Sequence, residues 1–250
     1  MNHQQQVLRR RTGTPAFTLI ELLVVVAIIG VLASILIPVT GSVRMTAQKA
    51  SCASNMRQIG IALRSFANDN RGQLPKIAHS RPPEESWIFT LAEYLDDTHA
   101  IRVSPADPQA ANKRIHPAAT TYVMNDLVFF QETDPFTGAP VGPQRTLFGL
   151  NNPSQTILAF TGAVRDDPNQ TSFSATNDHT HAGRWTNWSR VTADISPDLH
   201  RSGGQSADQT NGSSNYLFAD GRVESFDAAD VKRWIQAGIN IANPEGFRPN

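Results

Sequence analysis

The chain has 250 residues, 40% of them hydrophobic and 18% charged, and its 22 basic side chains balance 22 acidic ones. That balance excludes a strongly basic nucleic-acid-binding domain, whose footprint is a basic patch or a high isoelectric point. Cys52 is the single cysteine, so an intrachain disulfide is excluded in any redox compartment.

Residues 1–16 are polar, carry Arg9, Arg10 and Arg11 without an acid, and end in Thr14-Pro15-Ala16. Removing them lowers the basic count from 22 to 19. The apolar run Phe17 to Ile37 follows. At about 1.5 Å per residue it makes a helix of roughly 31 Å, which matches a hydrocarbon core of about 30 Å, so 17–37 reads as a transmembrane segment. A secretory signal peptide has a shorter apolar region, about 7–15 residues, with a small-residue cleavage site after it. Here Pro38, Val39 and Thr40 follow instead, so processing is expected before the run, at the Ala16–Phe17 junction. The three arginines favour a cytoplasmic amino terminus, with the residues after Pro38 outside the cytoplasm, but Arg44 and Lys49 stand close to the other end, so arginine counting alone does not set the orientation. Glu21 is the one carboxylate in the run. An ionised group in a membrane segment is costly and calls for a partner or a function.

Residues 16–37, AFTLIELLVVVAIIGVLASILI, followed at once by Pro38, resemble the amino-terminal class III signal of type IV prepilins and type II secretion pseudopilins. The resemblance implies that a prepilin peptidase cuts between Ala16 and Phe17 and N-methylates Phe17, which makes Glu21 the fifth residue. The family usually has Gly where Ala16 stands. The new α-amine on Phe17 is largely cationic at neutral pH, and methylation leaves its charge. In a staggered bundle of identical helices, Glu21 of one subunit meets the Phe17 ammonium of the next, which offsets the desolvation of both. The competing reading is an ordinary anchor with Glu21 near the lipid headgroups.

Beyond the membrane the helix is expected to continue. Met45, Cys52, Met56, Ile59, Leu63 and Phe66 recur at spacings of seven, four, three, four and three, one buried face with Lys49, Arg57 and Arg64 interleaved. Residues 17 to about 68 then form a helix of roughly 78 Å. Pro38 lacks an N–H and clashes with the Ser34 carbonyl, and Gly41 is a weak helix former, so a kink or meltable segment is expected there. NDNRGQL at 68–74, followed by Pro75, ends the shaft.

Residues 69–250 read as one globular head. Trp87 to Leu95 reads as a short helix, and Thr120 to Phe130 and Gln155 to Phe160 as strands, with Asp134 to Pro143 a turn-rich connection. Arg165 to Asn215 is mostly Asn, Asp, Thr, Ser, Gly and His, which predicts long surface loops. NYLFADGRVESF at 215–226 predicts a hairpin turning at Asp220-Gly221, with Phe218 opposite Val223. Asp227 then reads as an N-cap, with Asp230 in the first turn of a helix carrying Val231, Trp234 and Ile235 before Gly238. The fold class is α+β: a long N-terminal pilin-like helix packed on a loop-rich antiparallel-sheet head. SPADP at 104–108, TYVMN at 121–125 and NYLFADGRVE at 215–224 also resemble the heads of large pseudopilin-like bacterial proteins. Those relatives often have Cys where Ser104 stands and His where Arg222 stands.

Enzyme chemistry has little to stand on. His179 and His181 form H-x-H beside Asp178, with His200 and Asp220 further along, but they make no ligand set at recognised spacing. Neither a metal nor a cofactor is expected. There is no G-x-S-x-G and no P-loop, and scattered Ser, His and Asp are not a triad without geometry. Trp185, Trp188 and Trp234 read as core or loop anchors ahead of an aromatic binding surface.

The leading reading is a structural pseudopilin of a type II secretion-like machine: a cleaved leader 1–16, a helix 17–68 and a head 69–250. It implies a prepilin peptidase, other pseudopilin subunits, an inner-membrane assembly platform and membrane lipid as partners, with no nucleic acid. The subunit is single-pass in a bacterial inner membrane with its head in the periplasm, then part of a periplasmic fibre. The alternatives are a type IV pilin-like subunit for adhesion, motility or DNA uptake, and a membrane-tethered enzyme or carbohydrate-binding module.

Overall fold

The computed structural model describes residues 18–78, 83–95, 98–130, 146–164 and 177–247; for 35–39, 83, 98 and 99 it describes the backbone alone. Helix α1, Leu19–Asp69, is the longest element. The chain divides into two compact units, Met1–Ser42 and Val43–Asn250.

In the first unit the helix is apolar on every side. Leu19, Ile20, Leu23, Val26, Ile29 and Leu32 are all exposed, so no stripe of it has a core of its own to enter. Among the described residues no helix is long and apolar enough to cross a membrane, and the apolar run described with side chains ends at Ser34.

In the second unit α1 supplies one wall of the core. Cys52, Met56, Ile59 and Leu63 are fully buried and Met45 and Phe66 half-buried, as their spacing predicts. Burial raises the Cys52 thiol pKa above its usual value and leaves it to pack as a small apolar group. Asp69 ends the helix. Arg71 and Gly72 then take positive φ, 56° and 83°, and the Gly72 N–H closes on the Ala67 carbonyl at 2.7 Å.

Short helices follow: α2 (Trp87–Thr90), α3 (Thr98–Ile101) and α4 (Ala110–Ile115). The segment expected as one helix to Leu95 is α2 plus a separate 3-10 turn at Ala92–Tyr94. Strand β1 covers Tyr122–Met124 only. The expected longer strand to Phe130 is cut by Asn125, whose side chain accepts the Leu127 N–H at 3.1 Å and starts α5 (Asp126–Phe129).

The remaining strands are β2 (Ile157–Thr161), β3 (His200–Arg201), β4 (Gly212–Phe218) and β5 (Val223–Asp227), all paired antiparallel. β5 runs along one edge of β4, so β2 and β3 share the opposite edge, β3 at Gly212–Ser213 and β2 at Leu217–Phe218. Alternation sends Leu217 toward α1 and Tyr216 and Phe218 to the other face. There they join Phe160, Val191 of α6 (Trp188–Asp194), and Val231 and Ile235 of α7 (Ala228–Gln236). Gly60 permits the close approach of α1, since a Cβ there would lie 2.9 Å from Leu217 Cδ1. The head is thus an α+β sandwich with helices on both faces of one antiparallel sheet.

The β4–β5 hairpin forms, but one residue out of the expected register: Val223 faces Leu217, not Phe218. Phe218 N–H donates to Arg222 O at 2.8 Å and Gly221 N–H to Phe218 O at 2.9 Å, so the loop holds Ala219, Asp220 and Gly221. Gly221 at φ 90° makes this a three-residue hairpin with a left-handed third position. The guanidinium of Arg222 then lies over the Phe218 ring, 4.0 Å from its centroid. Helix α7 starts after Asp227 as expected, although the Asp227 side chain makes no capping bond. It ends in a Schellman motif, with Ile239 N–H on Trp234 O (2.9 Å), Gly238 N–H on Ile235 O (3.0 Å) and Gly238 at φ 78°.

Candidate assembly site and the polar network of the head

Glu21 sits in the first turn of α1, bonded to Thr18. Its Oε2 accepts the Thr18 N–H at 2.9 Å and the Thr18 hydroxyl at 2.7 Å, while Thr18 Oγ1 accepts the Glu21 N–H at 3.2 Å. These reciprocal bonds make a capping box, with Thr18 as N-cap and Glu21 three residues on. The T-x-x-E signature of this box stands in the sequence at 18–21, beside the charge in an apolar run. Among the described residues the other oxygen, Oε1, has no hydrogen-bond partner. The cleavage and methylation positions, Ala16 and Phe17, lie outside the described residues, as do Arg9, Arg10, Arg11 and the 134–143 connection. Helix α1 runs through Pro38 and Gly41, and open space surrounds Gly41.

The described part of the polar stretch before β4, residues 177–211, is only partly surface loop: 202–205 are exposed, but it also forms α6 and β3. Asp178, Thr180 and Asp198 are fully buried, and His179 and His200 nearly so. What makes this possible is hydrogen bonding to distant segments, because a buried polar group without partners is costly. The Asp178 carboxylate accepts the Ala78 N–H (3.2 and 3.1 Å to its two oxygens) and the Ser86 hydroxyl, and contacts His179 Nδ1 at 2.7 Å. Its carbonyl takes Trp87 Nε1–H and the Met124 N–H, both at 2.9 Å. One residue therefore ties the segment after the shaft, α2 and β1 together.

Ser86, Asp178 and His179 do not form a nucleophilic triad. The Ser86 hydroxyl donates to the Asp178 carboxylate rather than to the imidazole, so the three do not stand in the serine–imidazole–carboxylate order. The H-x-H residues are adjacent, with ring centroids 5.0 Å apart, and His181 Nδ1 lies 3.5 Å from Asp194 Oδ1. His200 is elsewhere, on β3, and Asp220 is in the hairpin loop, where it accepts the Arg222 N–H at 2.9 Å. Among the described residues no group of three or more His, Cys, Asp or Glu is placed to hold a metal ion. The tryptophans serve separate places: Trp185 Nε1–H donates to Asp194 (2.7 Å), Trp188 Nε1–H to Asp208 O (2.6 Å), and Trp234 packs edge-on against Phe226 and Phe247. Desolvation, with the Lys49 charge adding to it, lowers the His200 pKa to about 4.

A family model described as the prokaryotic N-terminal methylation motif matches residues 15–37. The chain thus carries a type IV prepilin or pseudopilin-like signal, the signal of pilin-type structural subunits. It implies processing by a prepilin peptidase and assembly with other pilin-type subunits, from a membrane-anchored form into a fibre. No curated protein and no solved structure matches the chain.

Proposed function

We propose that this protein is a non-catalytic pseudopilin of a type II secretion-like machine, cleaved between Ala16 and Phe17, N-methylated on Phe17, and assembled through its N-terminal helix into a periplasmic fibre for protein export. The observation that carries the reading is the methylation motif at 15–37, coinciding with a helix that is apolar all round and opened by the Thr18–Glu21 box. Such a helix needs lipid before assembly and neighbouring helices after it. Glu21 then has two duties: Oε2 caps its own helix, and Oε1 meets the Phe17 ammonium of the next subunit. Pro38 and Gly41, near the end of the first unit, let the helix bend on insertion into the fibre.

Mass spectrometry of the amino terminus tests maturation. The expected product begins at methylated Phe17, and Ala16→Gly speeds the cut; an intact Met1 chain in cells with active prepilin peptidase contradicts the reading. Neighbouring genes for a secretin and a secretion ATPase support the export role, whereas a retraction ATPase favours the pilus alternative.

A further inference from the structure

The head contains a polar cavity of about 330 Å³, between α4, β1, the segment after β2 and the H-x-H stretch. That volume is at the low end of the range for small-molecule sites. Gly162 and Ala163 leave the space, and among the described residues Val123 is the one branched apolar side chain on the wall.

The charges on the wall do not balance. Lys113 and Asp107 cancel each other, with Nζ 2.6 Å from Oδ2 and side chains 12% and 0% exposed. Asp194 has no such partner. Its Oδ2 accepts the His181 N–H at 2.8 Å and Trp185 Nε1–H at 2.7 Å, two neutral donors that fix the carboxylate on its wall. Its Oδ1 accepts no hydrogen bond among the described residues, and His181 Nδ1 stands 3.5 Å away. The same residues include no lysine or arginine paired with Asp194, although its side chain is only 19% exposed. A cavity walled by one self-cancelling ion pair and one unmatched carboxylate, partly withdrawn from water, attracts a cation.

The rest of the wall narrows the kind of cation. Among the described residues no three His, Cys, Asp or Glu are placed to hold a metal ion, so an ammonium suits the site better. Lys113 keeps N–H donors beyond the one on Asp107, and with its charge already neutralised they match uncharged oxygens; the Asn177 amide both donates and accepts. We propose that this cavity binds a small hydroxylated primary amine, of which an amino sugar is the type, with its ammonium on Asp194 Oδ1 and its hydroxyls toward Lys113 and Asn177. The ammonium–carboxylate contact is a charge-assisted bond, the strong kind, and sets the orientation. The site is independent of fibre assembly, so its failure leaves the pilin-type reading untouched.

The test is calorimetric titration of the detergent-solubilised full chain with glucosamine, with glucose as the probe of like shape without the charge, and with zinc chloride. Glucosamine is expected to bind, and glucose at least tenfold more weakly. Asp194→Asn can leave its carbonyl oxygen on the His181 and Trp185 donors and turn its NH2 to the cavity, so it is expected to remove the preference for glucosamine without moving the urea midpoint by much. Ala163→Leu fills the cavity while every charged group stays in place, and is expected to abolish binding of both sugars. Absence of glucosamine binding, glucose bound as tightly, or unchanged affinity in either variant overturns the proposal. So does zinc binding that Asp194→Asn removes while glucosamine is inert.

Discussion

Replacing Asp178 by Asn removes one charge and one acceptor oxygen from a fully buried site and changes almost nothing in shape. The carboxylate receives three donors: the Ala78 N–H, the Ser86 hydroxyl and the His179 imidazole. Hydrogen bonds to charged groups contribute about 1.5–3 kcal/mol each, neutral ones about 0.5–1.5. Whichever way the amide turns, its NH2 also faces a donor, so a loss of about 2–4 kcal/mol is expected. For a unit of this size, that is a fall of about 4–16 °C in thermal midpoint. Urea unfolding of the full chain in detergent, followed by tryptophan fluorescence, measures it, and Trp87, bonded to the Asp178 carbonyl, reports locally. Ser86→Ala and Asp178→Asn should be non-additive, because they share a bond. A loss below about 0.5 kcal/mol, no larger than for the exposed Glu84→Gln, refutes the claim that Asp178 pins these segments.

Three further outcomes follow from particular residues. His200 is buried with neither ring nitrogen hydrogen-bonded among the described residues, and its folded pKa of about 4 lies below the ordinary 6.5. The unfolded chain therefore binds the proton first, and stability is full above pH 6.5 and falls as the pH drops from 6.5 toward 4; His200→Leu should flatten that part of the urea-midpoint profile relative to wild type. Gly212→Ala would put a Cβ 2.8 Å from Asp198 O and His200 O, backbone that cannot turn aside, so about 1–3 kcal/mol should be lost and β3 should exchange amide protons faster. In the assembled fibre, amides around Pro38–Gly41 should exchange faster than those of 45–63, and equal protection would remove the hinge from the account.

The sequence was most legible where a local pattern decides the structure. The seven-four-three spacing located the buried face of α1, the Asp-Gly pair located the hairpin, and Asp227 located the start of α7. The errors were local as well. Asp-Gly predicts a two-residue turn, but Gly221 occupies the left-handed third position of a longer one, and that extra residue shifts every cross-strand pair. The β-prone run 120–130 predicts a strand through Asn125, although Asn is a strong N-cap and serves as one here. The buried stretch around Asp178 was not legible at all. Its composition is that of a surface loop, and the groups that satisfy it, Ala78, Ser86 and Met124, lie far off in sequence. For Glu21 the chain carries two signals, a charge in an apolar run and the T-x-x-E of a capping box.

Crosslinking between subunits through cysteines placed at the start of α1, compared between wild type and Glu21→Gln, tests assembly most directly. Gln at this position still completes a capping box, so the helix start is preserved and only the charge is lost. The account predicts that the variant is inserted, cleaved and folded normally, yet crosslinks poorly and fails to support export. Wild-type crosslinking and secretion in Glu21→Gln would contradict it and leave Glu21 as the cap of a simple membrane anchor.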